Sequence, residues 1–296
     1  MFSGRFCFSV LATATAVLGA TVQLDARDVT ATALTQLDLF AQWSAAAYCS
    51  TNLETDDISV TCADDACPSV EAASTEILLE FDETNDYGDT AGFFAVDRTN
   101  ERLVVAFRGS RTLENWIADL TFVFEDIDDI CSGCKAHEGF WKSWETVADT
   151  LTSEIETAMT TYPGYTLYFT GHSLGGALAM LGATALRTAG YTIELYTYGC
   201  PRVGNYELAE YITSQGSGAN FRVTHLNDIV PRLPPMLLGY SHPSPEYWIT
   251  SGTLDAVTAD DIEIIEGIDS TAGNAGEATE SILAHLWYFF SIATCL

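Results

Sequence analysis

The sequence predicts an α/β protein with a mostly parallel central sheet flanked by helices. Short segments rich in β-branched and aromatic residues alternate with longer segments of helical periodicity, and a glycine-rich turn joins one segment of each kind. Such alternation is typical of parallel sheets that carry helices on both faces. The predicted strands cover residues 103–107, 166–170, 193–198 and 221–226, and the predicted helices cover 140–161 and 174–188.

The amino terminus has the pattern of a secretion signal. Arg5 precedes an apolar run over residues 6–20, which is shorter than a membrane span but suits the apolar core of a signal peptide. We expect residues 1–20 to be a signal peptide and 21–27, which end in a basic residue, to be a pro-segment. Residues 28–296 then form a single domain. The apolar segment 286–296 is too short to span a bilayer, so no transmembrane segment is expected.

Charge narrows the possible partners. The formal net charge is −29 with only 12 lysine and arginine residues. Such a chain cannot neutralise a row of phosphates, which argues against nucleic acid and against anionic membranes. Neutral and zwitterionic partners remain open, and no obligate protein partner is expected.

The cysteines indicate disulfides, as is usual in a secreted chain. Cys62 with Cys67 and Cys131 with Cys134 can close small loops, whereas Cys49 and Cys295 lie near the two ends of the domain. A zinc site built from the two close pairs is the alternative, because one spacing is C-x2-C. The disulfide interpretation leaves Cys200 unpaired.

A candidate nucleophile lies in the segment Gly171-His172-Ser173-Leu174-Gly175, which matches G-x-S-x-G. The pentapeptide alone is weak evidence, but a predicted strand runs directly into it and a small-residue helix runs directly out. This is the context of a strand-to-helix elbow that exposes a serine at its tip. The alternative is a glycine-rich turn with an idle serine.

A serine hydroxyl needs an imidazole base, which in turn needs a carboxylate. In folds with this elbow the acid follows the serine and the histidine comes last. His225, His242 and His285 follow Ser173, and we expect His285 to be the base. Asp228 lies directly after the strand 221–226 and is the expected acid. The alternative acids are Asp255, Asp260 and Asp261.

Several longer blocks resemble one protein family. They are Phe107-Arg108-Gly109-Ser110-Arg111, Glu114-Asn115-Trp116-Ile117, the elbow, Tyr198-Gly199-Cys200-Pro201-Arg202-Val203-Gly204-Asn205, residues 227–235 and His285-Leu286-Trp287-Tyr288-Phe289. In order and spacing they resemble the fungal class 3 lipases of the Rhizomucor and Thermomyces type, and most of all the Thermomyces members. The likeness extends over essentially the whole mature chain.

The resemblance implies an α/β-hydrolase fold and a set of site residues. It implies a triad of Ser173, Asp228 and His285, and an oxyanion hole formed by Ser110 and Leu174. It also implies disulfides Cys49–Cys295, Cys62–Cys67 and Cys131–Cys134. Cys200 has no known family partner, so a buried free thiol is expected there. No metal or cofactor is implied.

A short amphipathic segment follows Ser110. Leu113, Trp116, Ile117 and Leu120 fall at i, i+3, i+4 and i+7, which places four large apolar groups on one helical face. Such a pattern by itself fits an ordinary core helix. The resemblance instead makes residues 110–123 a lid that covers the active site in water and opens at a lipid surface.

Together these features predict a secreted serine esterase. We expect a triacylglycerol lipase that hydrolyses long-chain acylglycerols at lipid–water interfaces through an acyl-enzyme. A feruloyl esterase, a phospholipase or a galactolipase of the same fold are alternatives, although the polar lids of feruloyl esterases contrast with Trp116, Ile117 and Leu120. A lipid-binding protein that has lost catalysis is an alternative from a different class.

Overall fold

A central sheet of eight strands organises the molecule, of which a computed structural model describes residues 1, 29–53, 59–85 and 88–296. Two further pairs of short strands lie outside this sheet. In chain order the strands are β1 (Thr75–Asn85), β2 (Gly88–Asp97), β3 (Arg102–Phe107), β4 (Phe124–Asp126), β5 (Lys135–His137), β6 (Thr166–His172), β7 (Ile193–Tyr198), β8 (Asn220–His225), β9 (Glu246–Ile249), β10 (Ile262–Ile265), β11 (Trp287–Tyr288) and β12 (Phe290–Ser291).

The order of the strands in the sheet is β1-β2-β3-β6-β7-β8-β9-β10. The five strands from β3 to β9 in this order are parallel, whereas β1, β2 and β10 pair antiparallel at the two margins. The carboxyl ends of β6, β7 and β8 therefore lie side by side at one edge of the sheet. Loops at that edge are where α/β folds of this kind place their functional groups.

Helices cover both faces of the sheet. The α-helices are α1 (Ala31–Ala46), α2 (Pro68–Glu71), α3 (Leu113–Asp119), α4 (Glu138–Thr161), α5 (Leu174–Thr188), α6 (Tyr206–Ser214) and α7 (Ile282–His285). Helices α4 and α5 pack on one face, and α1 packs on the other. The helix α4 buries Phe140, Trp144, Val147, Leu151 and Ile155, a spacing of three to four residues that gives it one apolar face.

The described elements agree closely with the expected ones. The predicted helix 174–188 has the observed bounds, and the predicted strand 193–198 does as well. The strand expected at 221–226 instead spans Asn220–His225, because Leu226 adopts a left-handed conformation (φ 41°) and leaves the ladder. The expected signal peptide and pro-segment lie outside the described residues, apart from Met1.

Three disulfides join the cysteines as expected: Cys49–Cys295, Cys62–Cys67 and Cys131–Cys134. These cysteines therefore cannot supply the thiolates of a zinc site. Cys200 is a buried free thiol, and burial raises its pKa. In the described part of the chain, no helix combines the length and the apolar character that a membrane span requires.

Candidate active site

Ser173 lies at a sharp turn between β6 and α5. Its backbone is in a strained conformation with positive φ, at φ 59° and ψ −128°. The turn is tight: a Cβ on Gly171 would lie 2.3 Å from backbone atoms of Gly175, and a Cβ on Gly175 would lie 2.2 Å from the carbonyl oxygen of Phe107. The two glycines of the motif are therefore required by space, and the elbow expected from the sequence forms.

An acid–base pair lies near this turn. The Nδ1 atom of His285 is 2.8 Å from Oδ2 and 3.0 Å from Oδ1 of Asp228. Both side chains are buried, with 1% and 0% of their surface exposed. The backbone N–H of Val230 donates to Oδ1 of the same carboxylate, and the hydroxyl of Tyr288 donates to Oδ2. Because Nδ1 faces the carboxylate, it carries the proton, and Nε2 is left as the basic nitrogen.

The topology brings this pair to the elbow. Asp228 lies directly after β8, and a bridge to Ser281 ties it to the segment that leads into α7 and His285. The His285 ring lies against Gly199, which follows β7, and its centroid is 4.4 Å from that of His172. The backbone N–H of Ser173 donates to the carbonyl of Tyr198, the residue before Gly199.

Two buried polar atoms of this cluster have no hydrogen-bond partner among the described residues. They are Oγ of Ser173 and Nε2 of His285, the two atoms between which a proton would move. Hydrogen bonds between nucleophile and base are often loose in a protein without its substrate, so this geometry is compatible with a catalytic pair.

The alternative histidines are occupied elsewhere. Both ring nitrogens of His225 face backbone carbonyls, those of Ala284 and Ser251. His242 bonds the carbonyl of Pro231 through Nε2, and burial together with Arg222 and Arg202 lowers its pKa well below the usual range. Neither imidazole ring bonds a carboxylate in the described structure; the contact of His242 with Asp269 is made by its backbone N–H.

The alternative acids also have other surroundings. Asp255 and Asp260 are exposed. Asp261 accepts bonds from the backbone N–H and the hydroxyl of Thr258, which is a capping arrangement and lowers the pKa of this aspartate. Asp228 alone of the four candidate acids contacts an imidazole.

A cavity of about 560 Å³ lies beside the elbow. Ser110 and Leu174, the two candidate oxyanion residues, both line it. Leu174 is the first residue of helix α5, so its backbone N–H has no acceptor within that helix. Close contact between Gly175 and the end of β3 brings the helix start beside residues 108–110. Neither Ser173 nor His285 is among the described residues that line the cavity.

Helix α3 forms one wall of this cavity. Leu113, Trp116, Ile117 and Leu120 are half-buried, whereas the residues between them are exposed. Trp116 stacks on Phe140 with ring centroids 6.2 Å apart. The expected amphipathic helix is therefore present, with Trp116 and Leu120 packed against the core, and the helix itself is shorter than the segment 110–123 that contains it.

Comparisons with known proteins agree with this arrangement. A family model described as lipase (class 3) matches residues 104–238, and a model described as lipase 3 N-terminal region matches residues 6–79. The secreted mono- and diacylglycerol lipase A of Penicillium camembertii is 42% identical in an alignment of 295 positions that covers 97% of this chain and 95% of that protein. The chain belongs to the class 3 lipase family.

Solved structures of this lipase family share the fold. The mono- and diacylglycerol lipase of Aspergillus oryzae is similar with a TM-score of 0.84 and 40% identity, covering 89% of this chain and 98% of that chain. A triacylglycerol lipase described as having a serine protease triad as its catalytic centre is similar with a TM-score of 0.81 and 32% identity, covering 91% and 99%. Particular closeness to the Thermomyces members stays a prediction.

Several contacts in this class 3 lipase were not expected from the sequence. Tyr288 bonds the candidate acid, as described above. Behind the elbow, the hydroxyl of Tyr48 lies 2.7 Å from Nδ1 of His172, whose Nε2 lies 2.9 Å from the carbonyl oxygen of His285. His172 must therefore donate from Nε2 and accept from Tyr48. Partners so distant in sequence leave no local pattern, although His172 stands inside the elbow motif itself.

Proposed function

We propose that this chain is a secreted acylglycerol lipase that cleaves esters at lipid–water interfaces. The observation that carries the proposal is a buried Asp228–His285 pair beside the serine of a strand-to-helix elbow, next to a helix whose apolar face is turned inward. An apolar inner face on such a helix favours a lipid substrate over a water-soluble ester.

The proposed reaction begins with proton transfer. Oγ of Ser173 attacks the ester carbonyl carbon while Nε2 of His285 takes the hydroxyl proton, and Asp228 stabilises the resulting imidazolium. The tetrahedral intermediate collapses, its C–O bond to glycerol breaks, and the imidazolium returns the proton to the leaving alcohol. Water then attacks the acyl-enzyme with His285 again as the base, which releases the fatty acid and restores Ser173.

The negative oxygen of the intermediate needs donors that are already in place. The N–H of Leu174 is one, because the first N–H groups of a helix have no internal acceptor. Ser110 supplies the second from the loop after β3. Both residues line the same cavity, which supports their acting together; because Ser173 does not line it, the ester carbonyl would reach all three groups only once the site has opened.

The burial of the candidate nucleophile and base supports a lid over the site. Ser173 is 2% exposed and His285 is 1% exposed, so an acylglycerol cannot reach them without a movement. Helix α3 is suited to that movement, because its apolar side chains would exchange contact with the protein for contact with lipid at a similar free energy per unit area. We therefore place the lid at residues 110–123, with Leu113, Trp116, Ile117 and Leu120 as its inner face.

Exposed apolar side chains near the site support action at a lipid–water interface. Leu237 is 94% exposed and Leu283 is 70% exposed. Leu283 belongs to the helix that ends at His285, and the segment of Leu237 is joined to the lid side by the stacking of Phe124 on Tyr240. Large exposed leucines of this kind suit contact with lipid.

The experiment compares the parent with Ser173→Ala on emulsified triolein and on a short-chain p-nitrophenyl ester below and above its solubility limit. We expect the parent rate to rise steeply once an interface forms, and the variant to be inactive on both substrates. Full activity of Ser173→Ala would contradict the proposed mechanism. A smooth rate curve without a steep rise would contradict action at a lipid–water interface.

A second candidate is restriction to partial glycerides. It is favoured by the relatives from Penicillium and Aspergillus, which are named for mono- and diacylglycerols. Parallel assays on monoolein, diolein and triolein distinguish the two candidates, since only a triacylglycerol lipase releases oleate from pure triolein. Hydrolysis of phospholipid, galactolipid or feruloyl esters in place of acylglycerols would replace both.

Secretion is proposed from the amino-terminal sequence and from the relatives named as secreted lipases. Expression of the full chain in a fungal host should release active protein into the medium. Its amino-terminal residue should be Asp28, which Edman sequencing reads directly.

A further inference from the structure

Asn274 lies in a distant loop between β10 and α7. From there it contacts the turn that carries the candidate acid, residues 225–228, which we call the acid turn. The side chain is 1% exposed. Its Nδ2 donates to two backbone carbonyls, those of Leu226 at 3.0 Å and of Asp228 at 2.9 Å. A side-chain amide nitrogen has two hydrogens, so both are used on this one turn.

The turn needs such support because its backbone is strained. Leu226 has φ 41°, a conformation that costs a branched residue free energy and persists only where the surroundings hold it. The turn closes with a bond from the N–H of Asp228 to the carbonyl of His225. The indole N–H of Trp248 is a second donor to the carbonyl of Leu226. Of the two side chains that donate to this turn, Trp248 bonds only Leu226, whereas Asn274 bonds both neighbours of Asn227.

Asn274 is itself fixed by a buried charge pair. Its backbone N–H donates to Oε1 of Glu246, which also accepts from the hydroxyl of Thr224. The other carboxylate oxygen of Glu246 is 3.3 Å from a guanidinium nitrogen of Arg222, and both of these side chains are buried. Thr224 and Arg222 lie on β8, the strand that ends just before Asp228. The amide is therefore anchored to the same strand whose following turn it holds.

The segment after Asn274 then leads to the base. The N–H of Ser281 donates to the carbonyl of Asn227, and Ser281 forms the bridge to Asp228. Four residues later the chain reaches His285, whose ring meets the Asp228 carboxylate. Asn274, Ser281 and His285 thus contact the acid turn in succession from one stretch of chain.

We propose that Asn274 is a positioning residue: by holding the carbonyls of Leu226 and Asp228 it sets the direction of the Asp228 carboxylate toward His285. The inference rests on the proposed catalytic roles of Asp228 and His285. Asn274 touches neither the reacting atoms nor the carboxylate, so it acts through the backbone of the acid alone.

The test uses Asn274→Ala with Asn52→Ala as a matched control. Asn52 is also buried, and its Nδ2 also donates to two backbone carbonyls, those of Ala46 and Thr61, in a region without contact to the acid turn. Both variants lose two bonds from Nδ2 to backbone carbonyls, and Asn52→Ala also loses the bond from the N–H of Thr61 to Oδ1, so the control should lose at least as much thermal stability. Only Asn274→Ala should lose activity.

Two readouts separate positioning from stability. On a soluble p-nitrophenyl ester we expect kcat of Asn274→Ala to fall at least tenfold with KM within about twofold, and kcat of Asn52→Ala to stay within twofold of the parent. In proton NMR spectra the far-downfield signal of the His285 Nδ1 proton should shift or disappear in Asn274→Ala and stay in place in Asn52→Ala.

Asn274→Asp is the second variant should the alanine protein not fold, since it keeps the side-chain volume and removes at least one of the two donors. The proposal is overturned if the folded variant keeps both kcat and the downfield signal of the parent. That result leaves Ser173→Ala inactive, whereas failure of the proposed triad would show as activity in Ser173→Ala.

Discussion

Tyr288 donates its hydroxyl proton to the same oxygen of Asp228 that accepts from His285. The two distances to Oδ2 are 2.6 Å from the tyrosine oxygen and 2.8 Å from Nδ1. Burial and the neighbouring Asp228 raise the pKa of Tyr288 well above the usual range, which favours the protonated phenol that donates this bond. The Asp228 carboxylate therefore accepts a hydrogen bond from a neutral donor and keeps its own negative charge.

Replacing this donor should weaken catalysis without abolishing it. A hydrogen bond to a charged group contributes about 1.5–3 kcal/mol, so Tyr288→Phe is expected to lower kcat on a soluble ester by roughly tenfold to a hundredfold. Tyr191→Phe is the matched control, because Tyr191 also donates to a carboxylate, that of Glu156, at the surface. Equal kcat values for the two variants would show that the Tyr288 bond is not used in catalysis.

Changing the acid itself should have a larger effect. Asp228→Asn keeps the shape but no longer fixes the imidazole tautomer, and in a serine protease the same change lowers kcat by about ten-thousandfold. We expect a loss of that order in steady-state assays on tributyrin. A loss under tenfold would assign the role of acid to another carboxylate.

The apolar face of helix α3 should control the response to an interface. Trp116→Ser removes its stacking on Phe140 and should weaken the closed state. The ratio of the rate on emulsified ester to that on dissolved ester is then expected to fall severalfold, mainly because the dissolved ester gains access. Glu114→Gln on the exposed side of the helix is the control and should keep the parent ratio.

The exposed leucines should affect binding to lipid and leave chemistry alone. Leu237→Asp places a charge where an apolar side chain is 94% exposed, so sedimentation with phosphatidylcholine-stabilised emulsion should weaken by about tenfold or more. The rate on dissolved ester should stay within twofold. Met159→Asp, at an exposed position beside the amino-terminal end of β6, is the control expected to bind like the parent. Equal binding by both variants contradicts the prediction.

His137 should make the fold sensitive to acid. Burial lowers its pKa from 6.5 to about 4. Between these pH values the unfolded chain binds a proton on His137, whereas the folded protein does not. The contribution of His137 to the free energy of unfolding is therefore fully present above about pH 6.5 and is lost as the pH falls toward 4. The loss from this group is at most about 3 kcal/mol.

His137→Asn tests this pH dependence. Asparagine can still accept from the N–H of Phe140 at the start of α4, but it does not titrate. The fall in Tm between pH 6.5 and pH 4.5 should therefore be smaller in the variant than in the parent. An unchanged fall would assign the acid sensitivity to other groups.

The parallel strands and the elbow were predictable because their patterns are local. The run from Leu103 to Phe107 is continuously apolar, and such a run is typical of a strand buried on both faces. The elbow combines a short motif with its neighbouring strand and helix, so three local signals agree. The pairing of Asp228 with His285 followed from chain order and from the place of Asp228 after a strand, not from any local pattern.

The antiparallel margins and the supporting contacts were not predictable in this way. Strands β1 and β2 pair with each other through a long ladder, and their acidic and polar residues hide the period expected of a half-buried strand. Tyr48, Tyr288 and Asn274 are separated from their partners by tens of residues or more. Their roles depend on side-chain directions that only the folded chain defines.

The disulfide joins Cys49 to Cys295, which are 246 positions apart in sequence, and so closes a covalent ring. This ring contains the whole sheet and all three candidate catalytic residues. A protease that cuts one exposed loop within this ring therefore opens it without releasing a fragment. Force applied to the two ends would likewise pass through α1 and the disulfide and bypass the sheet. An enzyme built in this way stays one molecule after a single cut, and its nicked form separates into pieces only when the disulfide is reduced.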